Sequence, residues 1–147
     1  MMIEVDPSLK DKIEWLSERA KRSMAHALEI ELLVLKKDKV SGRMPVNEKT
    51  RQPFGLLHGG ASVALAETLS SIGGWLNVDE RLFAVVGAEI NANHLRPKKD
   101  GFLTGVAVPI QLGKTIQVWE IRIGDEAGKL VCISRCTLAV VAITLKG

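Results

Sequence analysis

One carboxylate defines the chemistry that this sequence can support. Glu67 lies in a segment, Gly59 to about Asn77, whose other residues are mostly apolar or small. Neither lysine nor arginine occurs between Gln52 and Glu80 to neutralise it. A buried carboxylate is costly unless it is paired or used chemically. Glu67 is therefore either paired with a base from elsewhere in the fold or a reactive group, and its surroundings favour the reactive group.

Those surroundings are a tight loop that leads directly into a helix start. Pro53 biases Gln52 toward an extended backbone, and Gly55 permits a sharp or left-handed turn. The first free N–H groups of the helix then lie near Gly59 and Gly60, where no side chain keeps a ligand away. Such a helix start stabilises negative charge.

Helical spacing places the reactive carboxylate on a face of small residues. At about 100° per residue, one face carries Gly60, Val63, Ala64, Glu67, Ser71 and Gly74. The opposite face carries Leu65, Leu69, Ile72 and Leu76. A helix that is apolar nearly all round is expected to be buried.

Length and charge exclude several classes of function. The 147 residues fit a single domain, 1–147, with a real hydrophobic core. A net charge of +3, from 20 basic and 17 acidic residues without a basic run, gives little support for nucleic-acid binding. It does suit a small polyanionic ligand. The N-terminus lacks a signal-peptide pattern, and no apolar stretch reaches membrane-spanning length, so a cytoplasmic location without membrane association is expected.

The two cysteines are expected to be small core residues. Cys132 and Cys136 lie four apart in a strand-like segment. Their Cα atoms would then be about 13 Å apart, which is too far for a disulfide.

The remaining pattern predicts one amphipathic helix, one hairpin and four further strands. Ser8 to about Arg22 has helical spacing and should cover an edge or end of the sheet. A hairpin follows, with strands over about His26–Leu35 and Val40–Val46, and His26 is assigned no role. After the central helix, four apolar, β-branched segments are antiparallel candidates: about Phe83–His94, Gly101–Leu112, Lys114–Gly124 and Lys129–Leu145. Pro109 indicates a bulge or an edge position.

The first of these four segments alternates in polarity. Ala84, Val86, Ala88, Ile90, Ala92 and His94 are predicted to face one way, and Gly87, Glu89, Asn91 and Asn93 the other. His94 would thus continue the apolar face.

The motif around the helix start resembles a known family. Gln52 to Ser62 reads Gln-Pro-Phe-Gly-Leu-Leu-His-Gly-Gly-Ala-Ser, and Ala-Glu-Thr-Leu-Ser-Ser follows at residues 66–71. Together with residues 86–94 and 117–119, this is similar to the hotdog-fold acyl-CoA thioesterases of the 4-hydroxybenzoyl-CoA and phenylacetate-degradation type. Within that group it looks most like the aroyl thioesterases of enterobactin proofreading and of 1,4-dihydroxy-2-naphthoyl-CoA hydrolysis. The resemblance implies an α+β hotdog fold, in which an antiparallel sheet of five or six strands wraps one long central helix.

The resemblance also implies a division of labour for thioester hydrolysis. The Gly59 N–H would polarise the carbonyl oxygen, and Glu67 would act as general base or as nucleophile. Gln52 and His58 would hydrogen-bond near the sulfur or the reacting oxygen, and Ser71 would orient the water or the carboxylate. The residues expected to bind substrate are His94, Gly60 and Thr68.

Cofactor chemistry is not expected beyond coenzyme A as part of the substrate. His58 and Glu67 are too far apart for a metal site without a third ligand, so no metal is expected. There is neither a Gly-x-Ser-x-Gly elbow nor a Gly-rich phosphate loop. Four basic residues could meet the coenzyme A phosphates or could be ordinary turn charges: Arg96, Lys98, Lys99 and Lys114.

Distance along the central helix predicts a shared site. Gly59 and Glu67 are separated by about 12 Å of helical rise, which one chain struggles to span at one carbonyl group. A two-fold axis between antiparallel helices would place the start of one beside the middle of the other. A homodimer is therefore expected, with Gln52, His58 and Gly59 from one chain and Glu67 and Ser71 from its mate. A dimer of dimers, that is a homotetramer, is the expected final assembly.

Two rival functions remain open on the sequence. A hotdog hydratase or dehydratase also pairs a histidine with a carboxylate, although its loop is proline-rich and its spacing longer. A non-catalytic acyl-CoA-binding regulator could use the same fold. The thioesterase is favoured because the set of site residues is complete: Gln52, His58, Gly59, Glu67 and Ser71. The sequence does not identify the acyl group of the substrate, or whether coenzyme A or a carrier protein holds it.

Overall fold

A long helix lies across a seven-stranded sheet. The computed structural model describes residues 3–143, which contain a 3₁₀ turn, Pro7–Leu9, and the helices α1 (Lys10–Ala20), α2 (Met24–Ala27) and α3 (Gly59–Leu76). The strands are β1 (Glu4–Val5), β2 (Glu31–Lys36), β3 (Lys39–Pro45), β4 (Phe83–His94), β5 (Phe102–Leu112), β6 (Ile116–Gly124) and β7 (Leu130–Ala142). This arrangement confirms the predicted α+β class.

The sheet order is β1-β2-β3-β5-β6-β7-β4. Among the strands of the described residues, β1 alone pairs in parallel, with β2, and the other pairs are antiparallel. The four C-terminal strands are neighbours in the sheet, as expected, and β2 and β3 form the expected hairpin. The seventh strand, beyond the five or six expected, is the two-residue β1. β4 lies at one edge of this sheet.

The core forms where the leucine face of α3 meets the sheet. Leu65, Leu69 and Leu76 are at most 1% exposed, as the helical spacing predicts. Buried side chains of β5, β6 and β7 belong to the same cluster: Leu103, Trp119, Ile121, Ile123 and Leu138.

The N-terminal part differs from the prediction at one point. The apolar composition predicts a strand from His26, but the chain first forms the short helix α2. Ser23 caps this helix by accepting a hydrogen bond from the His26 N–H at 3.3 Å. Glu29, at φ 57°, ends the turn before β2 begins at Glu31. A local cap and a left-handed residue thus override the strand-like composition.

A bulge in β4 corrects the predicted alternation. The pairing of β4 with β7 shifts register between Gly87 and Glu89. As a result, Val85 packs against the core, whereas Val86 is 49% exposed. The predicted inward face is correct after the bulge, at Ile90 and Ala92, and wrong before it, because one extra residue reverses the phase of a strand.

Three further predictions concern the bulge in β5, the two cysteines and the end of β7. The register shift after Pro109 confirms the predicted bulge. Cys132 and Cys136 are free, buried core residues, and burial raises the pKa of both thiols. β7 ends at Ala142, and the predicted continuation to Leu145 extends outside the described residues.

Candidate active site

The loop before α3 is held by backbone hydrogen bonds. The Gln52 N–H donates to the Leu56 carbonyl at 2.7 Å, and Gly55 turns the chain at φ 83°. The Leu57 and His58 N–H groups donate to Lys98 and Thr50 carbonyls, each at 2.8 Å. These bonds fix the direction from which the chain enters α3.

The Gln52 side chain belongs to this loop and lines the same cavity as Gly59. Its Oε1 accepts a hydrogen bond from the Phe54 N–H. Because that bond uses the carbonyl oxygen, the amide nitrogen of Gln52 remains the group able to donate to a ligand.

His58 is the N-cap of α3. Its Nδ1 accepts a hydrogen bond from the Gly60 N–H at 2.8 Å. A neutral His58 therefore carries its proton on Nε2, since Nδ1 must be the acceptor. The cap also uses the Gly60 N–H, one of the two helix-start donors that the sequence indicated.

The Gly59 N–H is the donor that this cap leaves free. As the first residue of α3, Gly59 has no acceptor within the helix. Among the loop and cap bonds of residues 3–143, none uses its N–H. A Cβ at this position would lie 2.7 Å from His94 Nε2. Glycine therefore allows the His94 ring to approach the helix start directly.

A cavity of about 370 Å³ lies beside the start of α3. Gln52, Gly59, His94 and Arg96 line it together with Ser62 and an apolar remainder: Leu56, Leu57, Leu95, Pro97 and Val131. The structure thus brings together three of the predicted site residues and one predicted phosphate-binding residue.

Glu67 lies apart from this cavity, in the middle of α3. Its carboxylate packs against β4, where a Cβ on Gly87 would lie 2.5 Å from Glu67 Oε1. The side chain is half-buried, and within residues 3–143 no salt bridge or side-chain hydrogen bond reaches its carboxylate. The alternative that Glu67 is paired with a base from elsewhere in the chain is therefore not seen among these residues.

Thr68 and Ser71 line a second cavity, of about 480 Å³, beside Ile72. Its other walls are mainly α1, α2 and the start of the hairpin, including Leu16, Met24, Ile30 and Leu32. Thr68 and Ser71 therefore do not line the cavity of Gly59 and His94.

The four candidate phosphate-binding residues fall in two places. Arg96, Lys98 and Lys99 lie on the loop after β4, whereas Lys114 lies in the β5–β6 turn beside Asn77, beyond the end of α3. Lys98 is 16% exposed and paired with Glu126. Its ammonium, with the Phe102 N–H, lowers the pKa of Glu126 to about 2. Arg96 donates to the Leu130 carbonyl.

Two residues of the site were not predicted. Gly87 leaves the space that the Glu67 carboxylate fills, and the only signal in the sequence was a glycine inside a strand, which often marks a bulge or close approach. Ser62 lines the cavity of Gly59 and His94, and its position in the motif does not indicate a role.

Residues 3–143 contain no group of three or more histidine, cysteine, aspartate or glutamate side chains placed to hold a metal ion. No helix in this part of the chain is long and apolar enough to cross a membrane.

Sequence comparison identifies the class of protein to which this fold belongs. The profile of the Thioesterase superfamily matches residues 54–132, more than half of the chain. The chain belongs to this superfamily, and its relatives are enzymes named for thioester or ester hydrolysis.

Specific relatives extend this result over most of the chain. A 1,4-dihydroxy-2-naphthoyl-CoA hydrolase of Escherichia coli is 45% identical over 131 residues, 89% of this chain and 96% of that protein. The proofreading thioesterase EntH of Cronobacter turicensis is 45% identical over 128 residues, covering 87% and 93%. A thioesterase crystal structure from Haemophilus influenzae superposes with a TM-score of 0.83 at 44% identity, covering 99% of both chains.

Proposed function

We propose that this enzyme hydrolyses an acyl-CoA thioester with an aromatic acyl group, using Glu67 and the Gly59 N–H. The observation that carries the proposal is Glu67 itself, a half-buried carboxylate with no cationic partner in residues 3–143. The names of two relatives, a 1,4-dihydroxy-2-naphthoyl-CoA hydrolase and a proofreading thioesterase, support the substrate class. No cofactor takes part beyond the coenzyme A of the substrate.

The chemical step follows from these groups. The Gly59 N–H donates to the thioester carbonyl oxygen, where negative charge develops. Glu67 takes a proton from water while the water oxygen bonds to the carbonyl carbon. The C–S bond then breaks, its electron pair leaves on sulfur, and the thiolate gains the proton that Glu67 took from water, which restores the carboxylate. The alternative, direct attack by Glu67 through an anhydride that water then opens, gives the same acid and thiol.

The other residues orient this reaction. The Gln52 amide nitrogen and the His58 Nε2–H are donors at the helix start, since the opposite atom of each side chain is already bonded. Ser71, one turn beyond Glu67, orients the water or the carboxylate. His94, Gly60 and Thr68 form the substrate-binding surroundings.

A homodimer completes this site. Gly59 lies beside His94 at the end of β4, whereas Glu67 lies against Gly87 near its middle. Within residues 3–143, β4 pairs with β7 on one side only, so the other edge of this 12-residue strand has no partner strand there. Two β4 edges that pair antiparallel would bring the Gly59 half of one subunit toward the Glu67 half of its mate.

We propose a register for this pairing. Directly opposed residues of antiparallel strands point to the same face, so the two-fold axis must pass between a residue and its own copy in the partner subunit. An axis at Asn91 places His94 of the partner subunit opposite Ala88, next to Gly87. The loop with Arg96 and Lys99 of the partner subunit then approaches the Phe83 end of β4, where Lys114 lies. A shared coenzyme A phosphate site would thereby be formed.

Substitution of Glu67 tests the proposal. Glu67→Gln should lower kcat on benzoyl-CoA by about a hundredfold or more, with little change in KM, because the lost group acts in the transition state. The matched control is Glu89→Gln in the neighbouring strand, whose carboxylate is exposed and accepts from Asn91 at 3.1 Å. That variant should retain kcat. An unchanged kcat for Glu67→Gln would refute the assignment, and binding without turnover by the wild type would indicate an acyl-CoA-binding regulator.

A further inference from the structure

Ser62 carries a buried hydroxyl that has no partner. The residue is 0% exposed. Its Oγ is the single buried side-chain nitrogen or oxygen without a hydrogen bond among the residues that the structure describes. Native proteins pair most buried polar atoms, since an unpaired one loses its hydration without compensation. The hydroxyl therefore calls for a specific explanation.

A second serine on the same helix shows that burial alone is not the explanation. Ser70 is also 0% exposed, yet its Oγ donates to the Ala66 and Glu67 carbonyls at 3.0 and 3.1 Å. Helix α3 can therefore satisfy a buried serine hydroxyl internally. Ser62 does not use this arrangement.

The location of Ser62 indicates what its hydroxyl meets. It lines the 370 Å³ cavity shared by Gly59 and His94, one turn of helix from the proposed carbonyl site. Most of the other residues that line the cavity are apolar, including Leu57 and Val131. A mainly apolar cavity with a few placed polar groups is typical of a small-molecule site, in which those groups orient the ligand.

We infer that Ser62 Oγ is a further substrate contact, which hydrogen-bonds a polar group of the part of the thioester that enters this cavity. The inference rests on the proposed thioesterase reaction. Two parts of the substrate supply such a group, namely a hydroxyl on the acyl moiety and an amide of the pantetheine arm. The choice depends on which of the two cavities beside the reaction centre holds the acyl moiety.

Paired serine variants and three kinds of thioester test the inference. Ser62→Ala and Ser70→Ala are compared with the wild type by Tm without substrate and by kcat/KM. The probes are the 2-, 3- and 4-hydroxybenzoyl-CoA isomers, benzoyl-CoA, and S-ethyl thiobenzoate, which lacks every amide. Ser62→Ala should leave Tm unchanged or raise it, because it removes an unpaired polar atom, whereas Ser70→Ala should lower Tm.

Kinetics then identify the bonded group. A loss in kcat/KM of about tenfold for Ser62→Ala on one hydroxybenzoyl isomer, but not on benzoyl-CoA, assigns the bond to an acyl hydroxyl. A similar loss on every CoA thioester, absent with S-ethyl thiobenzoate, assigns it to the pantetheine arm. Rates within twofold of the wild type on all substrates, or uniform losses with a lower Tm, would overturn the inference. Wild-type turnover separately tests the proposed reaction.

Discussion

The start and the middle of α3 contrast in how their polar groups are held. At the start, the loop 52–58 is anchored by backbone bonds, His58 caps the helix, and the Gly59 N–H is left free within a defined cavity. In the middle, Glu67 lies against the edge strand β4 without a cation in residues 3–143. The start is organised within one chain, whereas the middle faces an edge that a second chain could cover.

Mixed dimers test this contrast most directly. Gln52→Ala damages only the helix-start half, and Glu67→Ala only the middle half. If sites are shared, a hybrid dimer has one intact and one doubly damaged site, and random pairing restores about a quarter of wild-type sites. Activity is measured after subunit exchange and compared with each variant alone. No recovery after exchange verified by mass would show that each site lies within one chain.

The register proposed for β4 is testable by a cysteine placed on the two-fold axis. Asn91→Cys should form an intersubunit disulfide on mild oxidation, because opposed Cα atoms in antiparallel strands are about 4.5–5.5 Å apart, within disulfide range. Non-reducing electrophoresis measures the cross-linked fraction. Glu89→Cys is the control, since its mate would lie opposite Asn93, too far along the strand. Preferential cross-linking at position 89 would refute the Asn91 axis.

Gly87→Ala tests whether the β4 surface positions Glu67. The added methyl would lie 2.5 Å from Glu67 Oε1, so the carboxylate must move by about 1 Å. Such a displacement can reduce kcat by up to about a hundredfold. Gly124→Ala adds a methyl to another strand, where its nearest neighbour, the Lys129 carbonyl oxygen, is 3.4 Å away, and should keep kcat. If both variants had the same kcat and retained their Tm, Gly87 would not position Glu67.

The sequence was sufficient for features that depend on local chemistry. The loop, the α3 start and the buried leucine face follow from Pro53, Gly55, the glycine pair and helical spacing. The four C-terminal strands were recognisable from composition. The β4 bulge was not, because one inserted residue reverses the predicted face. Three features depend on residues that are distant in sequence. Gly87 leaves space for Glu67, Ser62 shares a cavity with His94, and Lys98 pairs with Glu126. No local pattern encodes such contacts.

The smallest expected effect concerns the loop after β4. Lys99 is exposed, whereas the neighbouring Lys98 is paired with Glu126. Lys99→Glu should therefore raise KM for benzoyl-CoA by about fivefold at low salt, because a contact between exposed charges contributes little free energy. The rise in KM should be smaller at high salt, which screens exposed charges.

The pantetheine thioester of benzoate shows whether a rise in KM comes from lost phosphate recognition, because this substrate lacks the nucleotide phosphates. Lys99→Glu should leave KM for this substrate unchanged. Lys98→Gln is the matched control and should lower Tm more than it changes KM, because its ammonium holds Glu126 beside the Phe102 N–H at the start of β5. If Lys99→Glu raised KM equally for both thioesters, Lys99 would not recognise phosphate.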